Sequence, residues 1–215
     1  MLRPAPKSRS GSSRQDVKKD FSRDQLAGIG AVVMVWNELE FMLDCALYSG
    51  EELPAECFQD DLPKRGLDEK VRQVGQAAEK WGLPETFIAS IRASAKAFSD
   101  LKNYRNAVVH SRIYDSQTAI CNRIKRSGDI EEVLITPQSL NWLYEQIAIL
   151  RYEMRCVIAV FDLVRNTATG ERTGMFALNE HDPIPEASEW VRQIDGCRQK
   201  RELLGAAPSF TINIR

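Results

Sequence analysis

Histidine is scarce in this chain, with only His110 and His181 among 215 residues. The five cysteines (Cys45, Cys57, Cys121, Cys156 and Cys197) are scattered, odd in number and never in a Cys-x-x-Cys pair. A Cys/His zinc site therefore has no supporting spacing. Free thiols in a reducing compartment are the expected state. Long apolar runs are also wanting: charges interrupt each one, so no stretch is expected to reach the roughly 20 residues of a membrane span. The N-terminus is basic but lacks an apolar core segment, which argues against a secretory signal and for a cytoplasmic protein. No internal repeat is visible. Nor is there an excess of one charge, with 29 basic and 30 acidic residues. Residues 1–20 hold six basic and two acidic residues, about +4, leaving about −5 on the remainder. An acidic body gives no global reason to bind nucleic acid, so any such site would have to be local.

What is present is the apolar content of an ordinary globular protein, 43%, on a chain long enough for one sizeable core. The Ser-, Pro- and Lys/Arg-rich start, residues 1–21, reads as a disordered, solvated basic tail. A first helix begins at the capping pattern "SRDQ", Ser22 to Gln25. Its stripe is Leu26, Ile29, Val33, Trp36, Leu43 and Leu47, and Gly50 is its natural stop. Residues 51–66 are turn-rich. A second helix fits Leu67 to Trp81, closed by Gly82, and Pro84 suits the first turn of a third. That third helix carries Phe87, Ile91, Ala95, Phe98, Leu101 and Val108, and ends near Ser111. "TAICNRIK" and "EEVLIT" are strand-like around the turn signal "RSGD", which predicts a small β-hairpin insert over about 112–135. Thr136-Pro137 then opens a fourth helix of about 28 residues, with "NTATGERTG" as the loop after it and a last amphipathic segment from about Pro185 to Leu204. The expected architecture is an all-α helical bundle over 22–205 with this β-insert, followed by a C-terminal tail, 206–215.

Polar residues interrupt the apolar stripes in one region, "YRNAVVHS", Tyr104 to Ser111. At about 100° per residue, Arg105 falls about 20° from Phe98, in the middle of the stripe. Asn106 and His110, four residues apart, lie at its edge and can meet one another. On the first helix Glu40 falls about 40° from Trp36. A carboxylate on a buried face needs a partner, and Arg105 is the candidate. Such a pair can be a register-fixing ion pair and nothing more, or part of a site.

"RNAVVH", Arg105 to His110, resembles the signature of the HEPN superfamily (higher eukaryotes and prokaryotes nucleotide-binding): an Arg followed by a polar residue, then a His, late in a helix. "WNELEFML" resembles the Trp-x-x-Leu-Glu pattern of many bacterial members. The likeness covers roughly residues 22–165 as a helical pattern, and only the Arg-Asn-x-x-x-His element is specific. It implies a helical domain that pairs two such motifs across a homodimer interface, with no cofactor and no metal ion. Many members are metal-independent endoribonucleases acting as toxins, in phage defence or in RNA processing. Others are non-catalytic binding or scaffold modules, for which Arg105 and Glu40 would form a structural ion pair. The partners implied are RNA, a second copy of the chain and a cognate antitoxin or inhibitor protein.

Carried over by position, the catalytic set is Arg105, Asn106 and His110, with Glu40 and Arg112 in support. The chemistry suits those types. Metal-free RNA cleavage needs a base for the 2′-hydroxyl, an acid for the departing 5′-oxygen and positive charge on the phosphate. Histidine can be acid or base, and Arg105 can hold phosphate in bidentate fashion. Two copies of the motif would supply both acid and base, giving 2′,3′-cyclic phosphate and 5′-hydroxyl ends. A tyrosine two residues after the histidine, modified in one subgroup, is missing here: Arg112 holds that place and Tyr114 comes later, so that regulation is not carried over. His181, in "NEHDP", receives no role.

Overall fold

The computed structural model describes residues 21–53, 60–115, 120–124, 130–169, 187–208 and 213–214. The basic tail, the "RSGD" turn, the "GERTG" stretch and His181 lie outside them.

Among the described residues five helices form the body: α1 (Arg23–Glu51), α2 (Leu67–Lys80), α3 (Glu85–His110), α4 (Pro137–Thr169) and α5 (Ala187–Leu203), with a 3-10 turn at Leu62–Lys64. The chain is thus a helical bundle carrying one small sheet. Between α3 and α4 run β1 (Arg112–Asp115), β2 (Ile120–Ile124) and β3 (Ile130–Leu134), and β4 (Asn213–Ile214) returns from the C-terminus. All neighbours are antiparallel in the order β1-β2-β3-β4. The β2–β3 pair is the hairpin expected from "TAICNRIK" and "EEVLIT". β1 and β4 are additions, and β4 falls within the stretch expected as a tail.

The starts of α1 and α4 are fixed by side-chain caps. The Ser22 hydroxyl accepts from the Gln25 backbone N–H, while the Gln25 side chain accepts from the Ser22 N–H, so two otherwise orphaned donors are satisfied. Gln25 also donates through Nε2 to the Ile135 carbonyl at 2.8 Å, tying α1 to the entry of α4. Thr136 and Ser139 make the same reciprocal bonds at the head of α4, both at 3.0 Å. Pro84 is the residue flanking α3 (ψ 143°) rather than its first helical residue. Gly82, at φ +63°, turns the chain between α2 and α3.

Gly50 does not stop α1. The helix runs on to Glu51 and ends on Glu52 in the left-handed region, φ 53°. Gly50 serves close packing instead: a Cβ there would stand 3.0 Å from both the Ala77 Cβ and the Phe161 ring. α4 is also longer than its stripe suggests, continuing through Asn166 to Thr169, where Thr167 bonds back to the Leu163 carbonyl.

α4 is the central element. Leu140, Leu143, Ile147, Leu150, Val157 and Phe161 are buried, each worth about 1.5–3 kcal/mol of apolar transfer. α1 runs parallel to it, with Gly28 against Leu140, Glu38 paired to Arg151 and Gly50 against Phe161. α3 and α5 run antiparallel to it, as the pairs Phe87–Phe161, Tyr104–Trp142 and Gln146–Arg201 show. α2 closes the side between α1 and α3, held to α1 by Lys70–Asp44 at 2.5 Å.

Contact with both α4 and α2 shifts the buried arc of α1. Val32, Val35, Leu39, Leu43, Ala46 and Leu47 are buried with Trp36, whereas Leu26 is 43% exposed. That arc centres roughly 50° from Trp36, leaving Glu40 at its margin rather than inside it. α1 also departs from the expectation about membrane spans, being long and apolar enough to cross a bilayer by length and composition. Here it supplies one wall of the core.

Candidate functional site

The last two turns of α3 carry Arg105, Asn106 and His110. Arg105 is half-buried between α3 and α1, its guanidinium carbon 5.7 Å from the centre of the Trp36 ring. That is cation–π distance. Its Nη1 donates to Asn106 Oδ1 at 3.0 Å. Its Nε is buried and meets no acceptor among the described residues.

Glu40 does not pair with Arg105. Its Oε1 accepts from the Trp36 indole N–H at 2.7 Å, and no ion pair within 4 Å joins the two among the described residues. The physical reason is the rotation of α1, which sets Trp36 between them: face toward the cation, edge toward the carboxylate. The expected buried ion pair is replaced by a relay through an aromatic ring, which satisfies the indole donor and orients the ring under the guanidinium.

His110, the last helical residue of α3, is exposed. The Asn106 carbonyl oxygen is taken by Arg105, and no hydrogen bond joins Asn106 to His110 among the described residues. Among the described residues the imidazole has no orienting partner at the helix end. The Ser111 hydroxyl closes that end by donating to the Ala107 carbonyl. Arg112 opens β1, its backbone paired with Asn122; its side chain lies outside the described set. One end of α3 thus presents a half-buried cation with an unused donor, an amide and an exposed imidazole. Arg105 offers a donor to an anion and His110 an exchangeable proton, on sides of α3 about 140° apart.

Sequence reasoning read Trp36 as core and as part of the "WNELEFML" pattern, with no contact to Arg105. The four-residue spacing Trp36–Glu40 was the available signal for its second role. A second polar group escaped altogether. Glu153, fully buried on α4, accepts from Arg201 Nε at 2.7 Å and from the Ser94 hydroxyl at 2.6 Å. Burial pushes its carboxyl above the usual range, against the lowering pull of Arg201. The angular test that singled out Arg105 would have found it, since Glu153 lies between Leu150 and Val157 on the α4 stripe.

Three further thiols are inert. Cys45, Cys156 and Cys197 are free and buried. Burial pushes Cys45 and Cys156 up to about 12, so little thiolate forms near neutrality. Comparison with known proteins found no matching family model, no matching curated protein and no matching solved structure.

Proposed function

We propose that this chain is a metal-independent endoribonuclease of the HEPN type, working as a homodimer in a toxin or phage-defence role. The observation that carries the reading is the grouping of Arg105, Asn106 and an exposed His110 on two successive turns at one helix end. The buried Nε of Arg105 adds support. An unsatisfied buried donor costs about 1–3 kcal/mol, and a phosphate oxygen arriving beside Trp36 would satisfy it.

In the reaction, one His110 takes the proton of the 2′-hydroxyl as that oxygen attacks phosphorus. The P–O5′ bond breaks, and the 5′-oxygen leaves with a proton from the His110 of the partner subunit. Arg105 offsets the charge building on the phosphoryl oxygens. The products are a 2′,3′-cyclic phosphate and a 5′-hydroxyl. An exposed apolar face supports a homodimer: Leu26, Met34 and Phe41, at 43, 67 and 48% exposure, share one outward side of α1.

A second reading has its own observation. Arg105 is already engaged by Trp36 and Asn106, as a structural residue of a non-catalytic binding module would be. Incubating total RNA in EDTA with wild type, His110→Ala and Arg105→Ala separates the two. The nuclease reading expects cyclic-phosphate ends from wild type and a loss of at least about 100-fold in His110→Ala. Intact RNA with wild type leaves the binding module.

A further inference from the structure

A groove of about 680 Å³ lies between α3, the head of α4, the end of α5 and the sheet. The Arg105–Trp36–Glu40 group does not line it. Its basic and acidic residues are distributed unequally. Arg123, Arg198 and Arg201 are half-buried in its walls, whereas Lys96, Asp100 and Glu202 are exposed at its rim. Arg201 is anchored from behind by Glu153, and Arg198 by Asp195 at 2.6 Å. Those two contribute oriented N–H donors, and Lys96 and Arg123 add charge. The groove also holds two half-buried aromatic rings, Tyr104 and Trp142, packed edge to face at 5.4 Å. Cationic walls with aromatic rings among them are what a single-stranded nucleic acid recognises: charge and donors track the phosphates, and rings stack with bases of any sequence.

The groove also points at the candidate site. Asn103 lines it and is exposed. Seven residues further on, His110 lies about 20° away around α3 and about 10 Å along it. A strand leaving the groove past Asn103 therefore runs along one face of α3 to the imidazole.

We propose that this groove binds single-stranded RNA and leads it to His110. The inference deepens the nuclease reading by locating the strand upstream of the cut, and it rests on that reading only for what happens at His110.

The test uses full-length protein carrying His110→Ala, so that bound RNA stays intact. Fluorescence anisotropy with a labelled 12-nucleotide oligouridylate is read across a salt series. The comparison is the same protein with Lys96→Glu and Arg123→Glu added, or with Arg72→Glu as a charge reversal placed away from the groove. The expected result is at least about a tenfold weakening for the groove variant, a salt dependence flatter by about 0.7 per lost phosphate contact, and no change for Arg72→Glu. Equal binding by the groove variant, or equal loss from Arg72→Glu, overturns the proposal. So does uridine monophosphate competing as well as the oligomer, which would mark a nucleotide site instead. Circular dichroism confirms that each variant is folded. A wild type that binds through the groove yet leaves RNA uncut refutes the nuclease reading alone. A wild type that cuts RNA while the groove variant binds and cuts equally refutes the groove alone.

Discussion

Two residues of the motif differ in what they owe to the fold. His110 is exposed and makes no hydrogen bond to Asn106, so His110→Ala should change unfolding free energy by less than about 0.5 kcal/mol while removing cleavage. Arg105 has its guanidinium on Trp36 and its Nη1 on Asn106. Arg105→Ala should therefore cost about 1–2 kcal/mol as well as activity. Urea unfolding beside the RNA assay checks the contrast. Glu153 offers a pH test. Burial raises its carboxyl, so the folded state holds that proton more tightly than the unfolded chain does. Its contribution to stability is full below the usual carboxylate range and is lost as pH rises through the raised folded value. Glu153→Gln has no proton to lose. Unfolding free energies measured from acid to neutral pH should fall more steeply for wild type than for the variant, by at most about 1.4 kcal/mol per pH unit.

At the level of elements, two glycines of α1 should respond in opposite directions. Gly50→Ala drives a methyl against Ala77 and Phe161 and should destabilise by about 1–3 kcal/mol. Gly30 is exposed, mid-helix, with open space where a Cβ would stand. Gly30→Ala should stabilise by about 0.5–1 kcal/mol. Thermal melts of the two variants make the comparison. The starts of α1 and α4 and the end of α2 were legible because Ser22, Thr136-Pro137 and Gly82 are local chemistry, readable within four residues. The buried face of α1 was not, because helical periodicity shows that a helix has an apolar side and not how many neighbours will cover it. Contact with both α2 and α4 rotated the buried arc and turned the expected Glu40–Arg105 pair into the Trp36 relay. Gly50 misled for the same reason: its signal as a stop is local, and its use against Phe161 is not. β4 escaped because a two-residue strand has no period to detect.

Taken whole, the molecule leaves Leu26, Met34 and Phe41 outward on α1. If that face seats a second copy, Met34→Asp with Phe41→Asp should convert a dimer to a monomer by light scattering. Cleavage should fall with it, while the melting temperature of the isolated chain stays within a few degrees. A wild type that is monomeric at all concentrations removes the two-histidine mechanism. The parallel course of α1 and α4 has a consequence in time. Their partners Glu38 and Arg151 are 113 residues apart in the chain, with α2, α3 and β1–β3 strung between them as one long crossover. At roughly 5–20 residues per second of synthesis, α1 waits about 6–23 s for the helix that covers its main face. During that interval the growing chain displays a helix long and apolar enough for a bilayer, so the ribosome-bound intermediate, rather than the finished bundle, is the form most exposed to chaperones and to misdirection toward membranes.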